Sequence, residues 1–493
     1  MSESPSLAAA GGSPKKVVLA VIDALDPSAL ERAVEEDGAP ALKALMENGT
    51  YIDDCVSTFP SVTPVAASAI ATGLGPADHL VPSMNWYHRG EERYVEYGSS
   101  FAATRTFGIF RSLTDTVYNM NLAHLTQEHR TVHEYLDDAG FRTACTTYLI
   151  YRGRHRHEPS KDSPYSRLAE AAQFKHAVWA SRELFYADIF DSRGTGCFST
   201  LGMPGQRDRH AGCVGSHLVE NDLFDFLLFS LPDNDTYSHR VGPVNQPVSI
   251  AEADRALGRL MDAAGGTDEF LADHAVVVMS DHSQNQITDT ISLASAVTGV
   301  RALLPSDPDP DEAEVALCPG ARSAQVYVLG EDRALAHEVA AQLERVEGVD
   351  LVMRRDGDEG VVTSGQGTLR FHSGGDLTDT RGGTWTVTGD HAVLDLSVSD
   401  GIVRSADYPH ALARLWSALE CDRTGDVLVS AEPGYEFADW GGQSHLGGGS
   451  HGSLHRCDSL GVMLACGFDM PDREQWSIED ATPLVLDHMG VAA

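Results

Sequence analysis

Residues 15–30 read KKVVLAVIDALDPSAL, and this stretch decides the fold. A β-branched apolar run ends at Asp23, and a helical pattern follows from Pro27 to Asn48. A strand that passes at once into a helix is how an α/β sheet begins. The same alternation recurs downstream. Strand-like runs occupy Tyr51–Ser57, Arg142–Ile150, Phe224–Leu231, Ala275–Met279 and Leu460–Cys466. Helical patterns fall at Thr131–Ala139, Pro164–Ala187 and Ser249–Ala264. The expected architecture is α/β, a mainly parallel central sheet with helices on both faces.

The stretch 296–440 differs in composition. It is rich in Asp, Gly and Thr, with short strand signals at Ala324–Leu329, Val349–Met353, Thr368–Phe371 and Thr384–Val387, and one helix, Arg333–Val346. It reads as an inserted α+β cap. The chain is then expected to return to the core with DVLVSAEPGYEF, from Asp426. The expected organisation is a disordered tail over 1–14, a core over 15–295 and 441–493 with an insertion near 85–215, and the cap over 296–440. No internal repeat is present.

Composition narrows the class of function. The chain has 493 residues and 42% hydrophobic content, enough for a large core, and a net charge of −36. Such a surface repels nucleic-acid polymers and anionic membranes. It still admits a small anionic substrate if bound cations reverse the local field. No apolar run approaches the roughly 18–20 residues that cross a bilayer, and the first residues lack a signal-peptide pattern. The expected compartment is the cytoplasm. The eight cysteines include no C-x-x-C pair, so they are expected to be reduced and mostly buried.

The chemistry sits in five short segments. Asp23 closes the first strand, and open parallel sheets gather ligands at strand carboxyl ends. Alone, it reads first as a helix-capping Asp. In SVTPVAASAIATG, Pro64 suits the first helical position and puts Thr63 at the N-cap, where free N–H groups and the helix dipole favour an anion. Thr58 and Ser61 are rival hydroxyls. In LFSLPDNDTYSHRVGP, Asp235 and His239 are four apart, so one helical turn would align them, with Asp233 as the rival carboxylate. A carboxylate and an imidazole suit zinc. In VVVMSDHSQ a second buried strand ends directly in Asp281 and His282. In GGGSHGSLH, glycines let the backbone carrying His451 approach a site closely, with His445 and His455 as alternatives. Together these residues divide naturally into two cation sites sharing one substrate.

In this order the segments resemble the type I phosphodiesterase/nucleotide pyrophosphatase family of the alkaline phosphatase superfamily. The resemblance rests on Asp23, FPSVTPVAASAIATGLGPADH, PDNDTYSHRVGP, SDHS and GGGSHGS. It implies one ion held by Asp235, His239 and His451, and another held by Asp23, Asp281, His282 and the Thr63 oxygen. Zinc is favoured; manganese or iron would tolerate the same groups. Thr63 would attack phosphorus in line and form a phosphothreonine, which water activated at the opposite metal would then release. The family often holds a phosphate oxygen with an asparagine, and Asn85 lies one residue from that place.

Ser238 and Ser283 stand where the family usually has glycine. No cysteine sits in the C-x-P-x-R context that sulfatases need. The implied activity is cleavage of a phosphodiester or nucleotide pyrophosphate bond in a small phosphorylated substrate such as a nucleotide. The alternatives are a phosphomonoesterase or phosphonate hydrolase of the same fold, for which Arg89, Arg93 and Arg105 offer cationic grips, and a non-catalytic metal-stabilised binding protein.

Overall fold

The computed structural model describes residues 14–161, 174–330 and 332–493. Its frame is an eight-stranded sheet. In chain order the strands are β1 (Lys16–Ile22), β2 (Thr50–Val56), β3 (Thr143–Thr146), β4 (Glu183–Tyr186), β5 (Phe190–Asp191), β6 (Phe226–Leu231), β7 (His274–Met279) and β8 (Leu460–Cys466). Across the sheet they run β2-β8-β7-β1-β6-β3-β4-β5. The interior pairings β7–β1, β1–β6, β6–β3 and β3–β4 are parallel. The pairings β2–β8, β8–β7 and β4–β5, toward the two edges, are antiparallel.

The apolar run of β1 is explained by burial on both faces. Val17, Leu19 and Val21 enter one core, together with Val65 and Ile70 of α3 (Thr63–Thr72). Val18, Ala20 and Ile22 enter the other. There they meet α1 (Pro27–Glu35), α2 (Pro40–Asn48) and α5 (Pro247–Ala263). Each fully buried Val, Leu or Ile contributes about 1.5–3 kcal/mol relative to exposure. Because β1, β6 and β7 are parallel neighbours, the residues that follow them emerge along one edge of the sheet.

A second, nine-stranded sheet is built from strands between Val315 and Ala431. Helix Arg333–Leu343 packs on one of its faces through Val339 and Leu343, and helix Ala411–Glu420 on the other through Leu412, Leu415 and Leu419.

Several expectations need correction. The helix expected over Pro27–Asn48 is two, because Asp37 takes a positive φ (54°) and Pro40 starts a new helix. The strand expected over Arg142–Ile150 stops at Thr146, ahead of Thr147 with φ 44°. Of the helix expected over Pro164–Ala187, residues 164–173 lie outside the described residues, as do 1–13 of the expected tail. Its later part forms strands Val178–Ala180 and Glu183–Tyr186, since pairing with β3 buries Leu184 and Phe185 and overrides the helical periodicity. Val427–Ala431 belongs to the second sheet, between Ser323–Val328 and Val349–Asp356, and does not return the chain to the core.

The cysteines also differ from expectation. Cys197 and Cys213 form a disulfide across 16 residues, and the other six are free. Disulfides persist in oxidising compartments, so this bond weighs against a fully reduced, cytoplasmic complement. No described helix is long and apolar enough to cross a membrane.

Candidate active site

Asp23 leaves β1, Asp281 and His282 leave β7, and β6 runs through Pro232 into α4 (Asp233–Val241), which carries Asp235 and His239. Helical spacing puts the last two together, with His239 Nε2 3.3 Å from Asp235 Oδ1. The glycine loop supplies His451, whose Nε2 is 3.6 Å from the same Asp235 oxygen. A Cβ at Gly448 would collide with the His239 carbonyl, so only glycine there lets the loop lie this close.

Two groups result. Asp235, His239 and His451 offer ligand atoms within 4.8 Å of one another, and so do Asp23, Asp281 and His282. The His282 and His451 rings stack at 3.6 Å between centroids and join the groups. Thr63 Oγ1 lies 3.2 Å from His282 Nε2. The helix begins at Thr63 itself, with Val62 as its N-cap, one residue earlier than the sequence implies. The Val62 carbonyl accepts from the Val65 and Ala66 N–H groups, which makes Thr63 the first helical residue.

The histidine tautomers follow from their partners. Nδ1 of His239 faces the Gly449 carbonyl (2.7 Å), Nδ1 of His451 the Ser61 carbonyl (2.8 Å) and Nδ1 of His282 the Ser283 carbonyl (3.2 Å). A carbonyl only accepts, so each Nδ1 donates its proton and each Nε2 faces the groups, as a lone pair on the neutral His282 and His451, while at His239 burial is outweighed by Asp235, which raises the imidazole. Burial, then repulsion from Asp281 and Asp235, raises the Asp23 carboxyl. Burial pushes Asp281 up to about 7. Burial alone would raise Asp235 too, but His239, His451 and His282 hold it below the ordinary carboxylate range. Burial lowers His282 to about 4 and lowers His451 strongly. Asp23 Oδ1 is buried without a hydrogen-bond partner. Crowded carboxylates, convergent imidazole lone pairs and an orphaned oxygen make a donor set suited to divalent cations.

The rival residues are occupied elsewhere. Ser61 Oγ donates to the Ser453 carbonyl (2.8 Å), and Thr58 Oγ1 points to the Pro60 carbonyl (3.4 Å). Asp233 accepts from Arg207 and the Gly205 N–H. His455 Nδ1 accepts from the Cys457 N–H. Asn85 is buried in a hairpin, its amide donating to the Val95 carbonyl. Arg89 pairs with Asp426, and Arg93 with Asp115 and Glu91. Arg105 is exposed on helix Phe101–Phe107. Ser238 and Ser283 use their hydroxyls locally, Ser238 accepting from Gln246 and Ser283 donating to the Leu460 carbonyl.

Sequence reasoning misses the supports. Gln284 donates to Asp235 Oδ1 at 2.5 Å. Arg322, wholly buried, pairs with buried Asp458, and its N–H donates to the His451 carbonyl at 2.8 Å. Arg414, on helix Ala411–Glu420, donates to the carbonyls of Thr58 and Leu454. The second sheet and its helix thereby hold both the Thr63 loop and the His451 loop. Gln284 stands beside His282 in the sequence and could be suspected from that place alone; the two arginines leave no local signal.

The sequence profile of the type I phosphodiesterase/nucleotide pyrophosphatase family matches residues 17–454. The chain belongs to that family. Type I phosphodiesterase/nucleotide pyrophosphatase membership makes it a phosphoester hydrolase. Among solved structures it is similar to murine ectonucleotide pyrophosphatase/phosphodiesterase 5 in an inactive form with AMP. That likeness has a TM-score of 0.58 and 12% identity, over 97% of this chain and 96% of that one. It is also similar to phosphonoacetate hydrolase from Sinorhizobium meliloti 1021 in complex with phosphonoformate. There the TM-score is 0.55 and the identity 18%, over 98% and 96% of the two chains. These likenesses bear out the alkaline-phosphatase-like fold. No curated protein matches the chain.

Proposed function

We propose that this member of the type I phosphodiesterase/nucleotide pyrophosphatase family is a two-metal hydrolase. It cleaves a phosphodiester or nucleotide pyrophosphate bond in a small substrate through a phosphothreonine on Thr63. The observation that carries the reading is the Thr63 hydroxyl at the start of α3, 3.2 Å from His282 Nε2. Asp235, His239 and His451 would hold one divalent cation, and Asp23, Asp281, His282 and the Thr63 oxygen the other. Zinc suits the mixed N/O donors best. When bound, the cations supply charge neutralisation for the phosphoryl oxygens and lower the pKa of a coordinated hydroxyl or water.

The chain's own residues do the rest. Thr63 Oγ forms the new bond to phosphorus while the bond to the leaving oxygen breaks. Hydrolysis of the phosphothreonine returns the Thr63 hydroxyl and releases the phosphorylated product. Nδ1 bonds from His239, His282 and His451 to backbone carbonyls keep every Nε2 aimed inward. α3 also begins at the nucleophile, so its free N–H groups favour an anion there.

The test compares hydrolysis of bis-p-nitrophenyl phosphate and p-nitrophenyl phosphate, with and without chelator, for wild type and Thr63→Ala. Chelator-sensitive, Thr63-dependent preference for the diester is expected. Preference for the monoester would keep the nucleophile and remove the diesterase assignment. The 18% identity to a phosphonoacetate hydrolase motivates a second reading, phosphonate cleavage on the same site. Phosphate release from phosphonoacetate, absent with the diester, would favour it.

A further inference from the structure

The three inward-facing histidines are not equally supported. His282 and His451 are 0% and 3% exposed and lie ring against ring. His239 is 17% exposed, on the outer flank of its group. One hydrogen bond, to the Gly449 carbonyl, anchors its Nδ1 edge. Its Nε2 faces Asp235 at 3.3 Å, and its ring meets His451 only at a tilt, with centroids 5.1 Å apart and planes at 44°.

A second imidazole supplies what is missing. His445 stacks on His239 with centroids 4.0 Å apart and planes at 28°. His445 is itself held at two points by Glu436, a carboxylate only 1% exposed. Oε1 accepts the His445 backbone N–H at 2.5 Å, and Oε2 faces Nδ1 at 3.1 Å. Glu436 lies on strand Tyr435–Phe437, which pairs in parallel with Asp289–Ile291. The carboxylate is thus fixed to regular structure and not to the loop it steadies.

We propose that Glu436 and His445 are positioning residues for the Asp235–His239–His451 group. Glu436 fixes the His445 ring, His445 forms a flat wall against His239, and the wall fixes the plane in which His239 Nε2 points. Partners one layer behind a metal ligand typically change metal affinity 10- to 100-fold when removed. Among the described residues no hydrogen bond or ring contact of this pair runs to Asp23, Asp281 or His282, so that group should keep its affinity. The inference rests on the two-metal reading.

The test is zinc titration of the full chain against a competing chromophoric chelator, together with apo-protein melting temperatures. Wild type should show two tight sites. His445→Ala should weaken one of them about 10- to 100-fold, leave the other alone and leave the apo melting temperature unchanged. His445→Phe, which keeps a flat face but not the Glu436 bond, should recover part of the loss. Glu436→Gln should weaken the same site. In a His239→Ala background, His445→Ala should add nothing, because the ligand it positions is gone.

A wild type that binds no zinc overturns the two-metal reading and this inference with it. A wild type with two sites and a His445→Ala protein equally tight at both overturns the inference alone. Weakening of both sites, or an equal further loss in the His239→Ala background, also overturns it, because it would reflect general disturbance of the loop.

Discussion

Thr63 Oγ1 lies 3.2 Å from Nε2 of His282, although the two are 219 residues apart in the chain. His282 donates its Nδ1 proton to the Ser283 carbonyl, so the atom facing the hydroxyl carries a lone pair. The threonine therefore shares its position with the donor set of the Asp23–Asp281–His282 group. The two rival hydroxyls, Thr58 and Ser61, point at backbone carbonyls.

Thr63→Ala should lower kcat at least about 1,000-fold, as removal of a covalent nucleophile does. Zinc content should stay near wild type, because Asp23, Asp281 and His282 remain. Thr63→Ser should recover measurable activity. Metal analysis beside steady-state rates checks both points, and full activity in Thr63→Ala removes the nucleophile assignment.

His239→Ala and Asp281→Ala should each lower metal stoichiometry, one at each group. Unchanged metal in both proteins would mean that the ligand sets are drawn wrongly. Since His282 and His451 stack between the groups, His451→Ala should disturb the second group more than His239→Ala does. Metal counting on the three variants separates these outcomes.

Much of this site is legible in the sequence because strand ends and polar residues coincide. β6 and β7 are mostly apolar runs, so the acidic residues after them stand out, and parallel pairing with β1 brings them to one edge. The supports are not legible. Arg322 and Asp458 meet only through the fold, and the Glu436–His445 pair depends on where strand Tyr435–Phe437 docks. The helical periodicity around Val178–Tyr186 loses to sheet pairing, a tertiary effect that local pattern cannot carry. The Cys197–Cys213 bond joins a loop to helix Arg207–Glu220 at a spacing that signals nothing.

That bond makes a countable prediction. In denaturant without reductant, six thiols should titrate, from Cys55, Cys145, Cys318, Cys421, Cys457 and Cys466. After reduction the count should rise to the full eight. Eight from the start would mean that Cys197 and Cys213 are reduced in solution.

The buried pair of Arg322 and Asp458 should be costly to split. Arg322→Leu leaves a buried carboxylate without its cation and should lose about 3–5 kcal/mol in urea unfolding. The double change Arg322→Leu with Asp458→Asn should recover part of that loss. Because the Arg322 N–H also holds the His451 carbonyl, and a leucine keeps that N–H, zinc affinity should fall less than stability. Equal stability of Arg322→Leu and wild type would mean that the pair is solvated.

Glu96 sets a pH dependence away from the metal groups. It is 2% exposed, and burial pushes its carboxyl up to about 7 although the Ser99 and Gly98 N–H groups favour the charge. The unfolded value is near 4.5. Between the two values the native state holds a proton that the unfolded chain has lost, so stability falls as pH rises. This contribution is fully present below about 4.5 and gone above about 7, and at 1.36 kcal/mol per pKa unit it amounts to roughly 3 kcal/mol. Urea unfolding at pH 5 and pH 8 should show wild type losing more stability than Glu96→Gln, whose amide cannot ionise. Parallel losses in the two proteins would place the slope on other groups and return Glu96 to an ordinary, charged carboxylate.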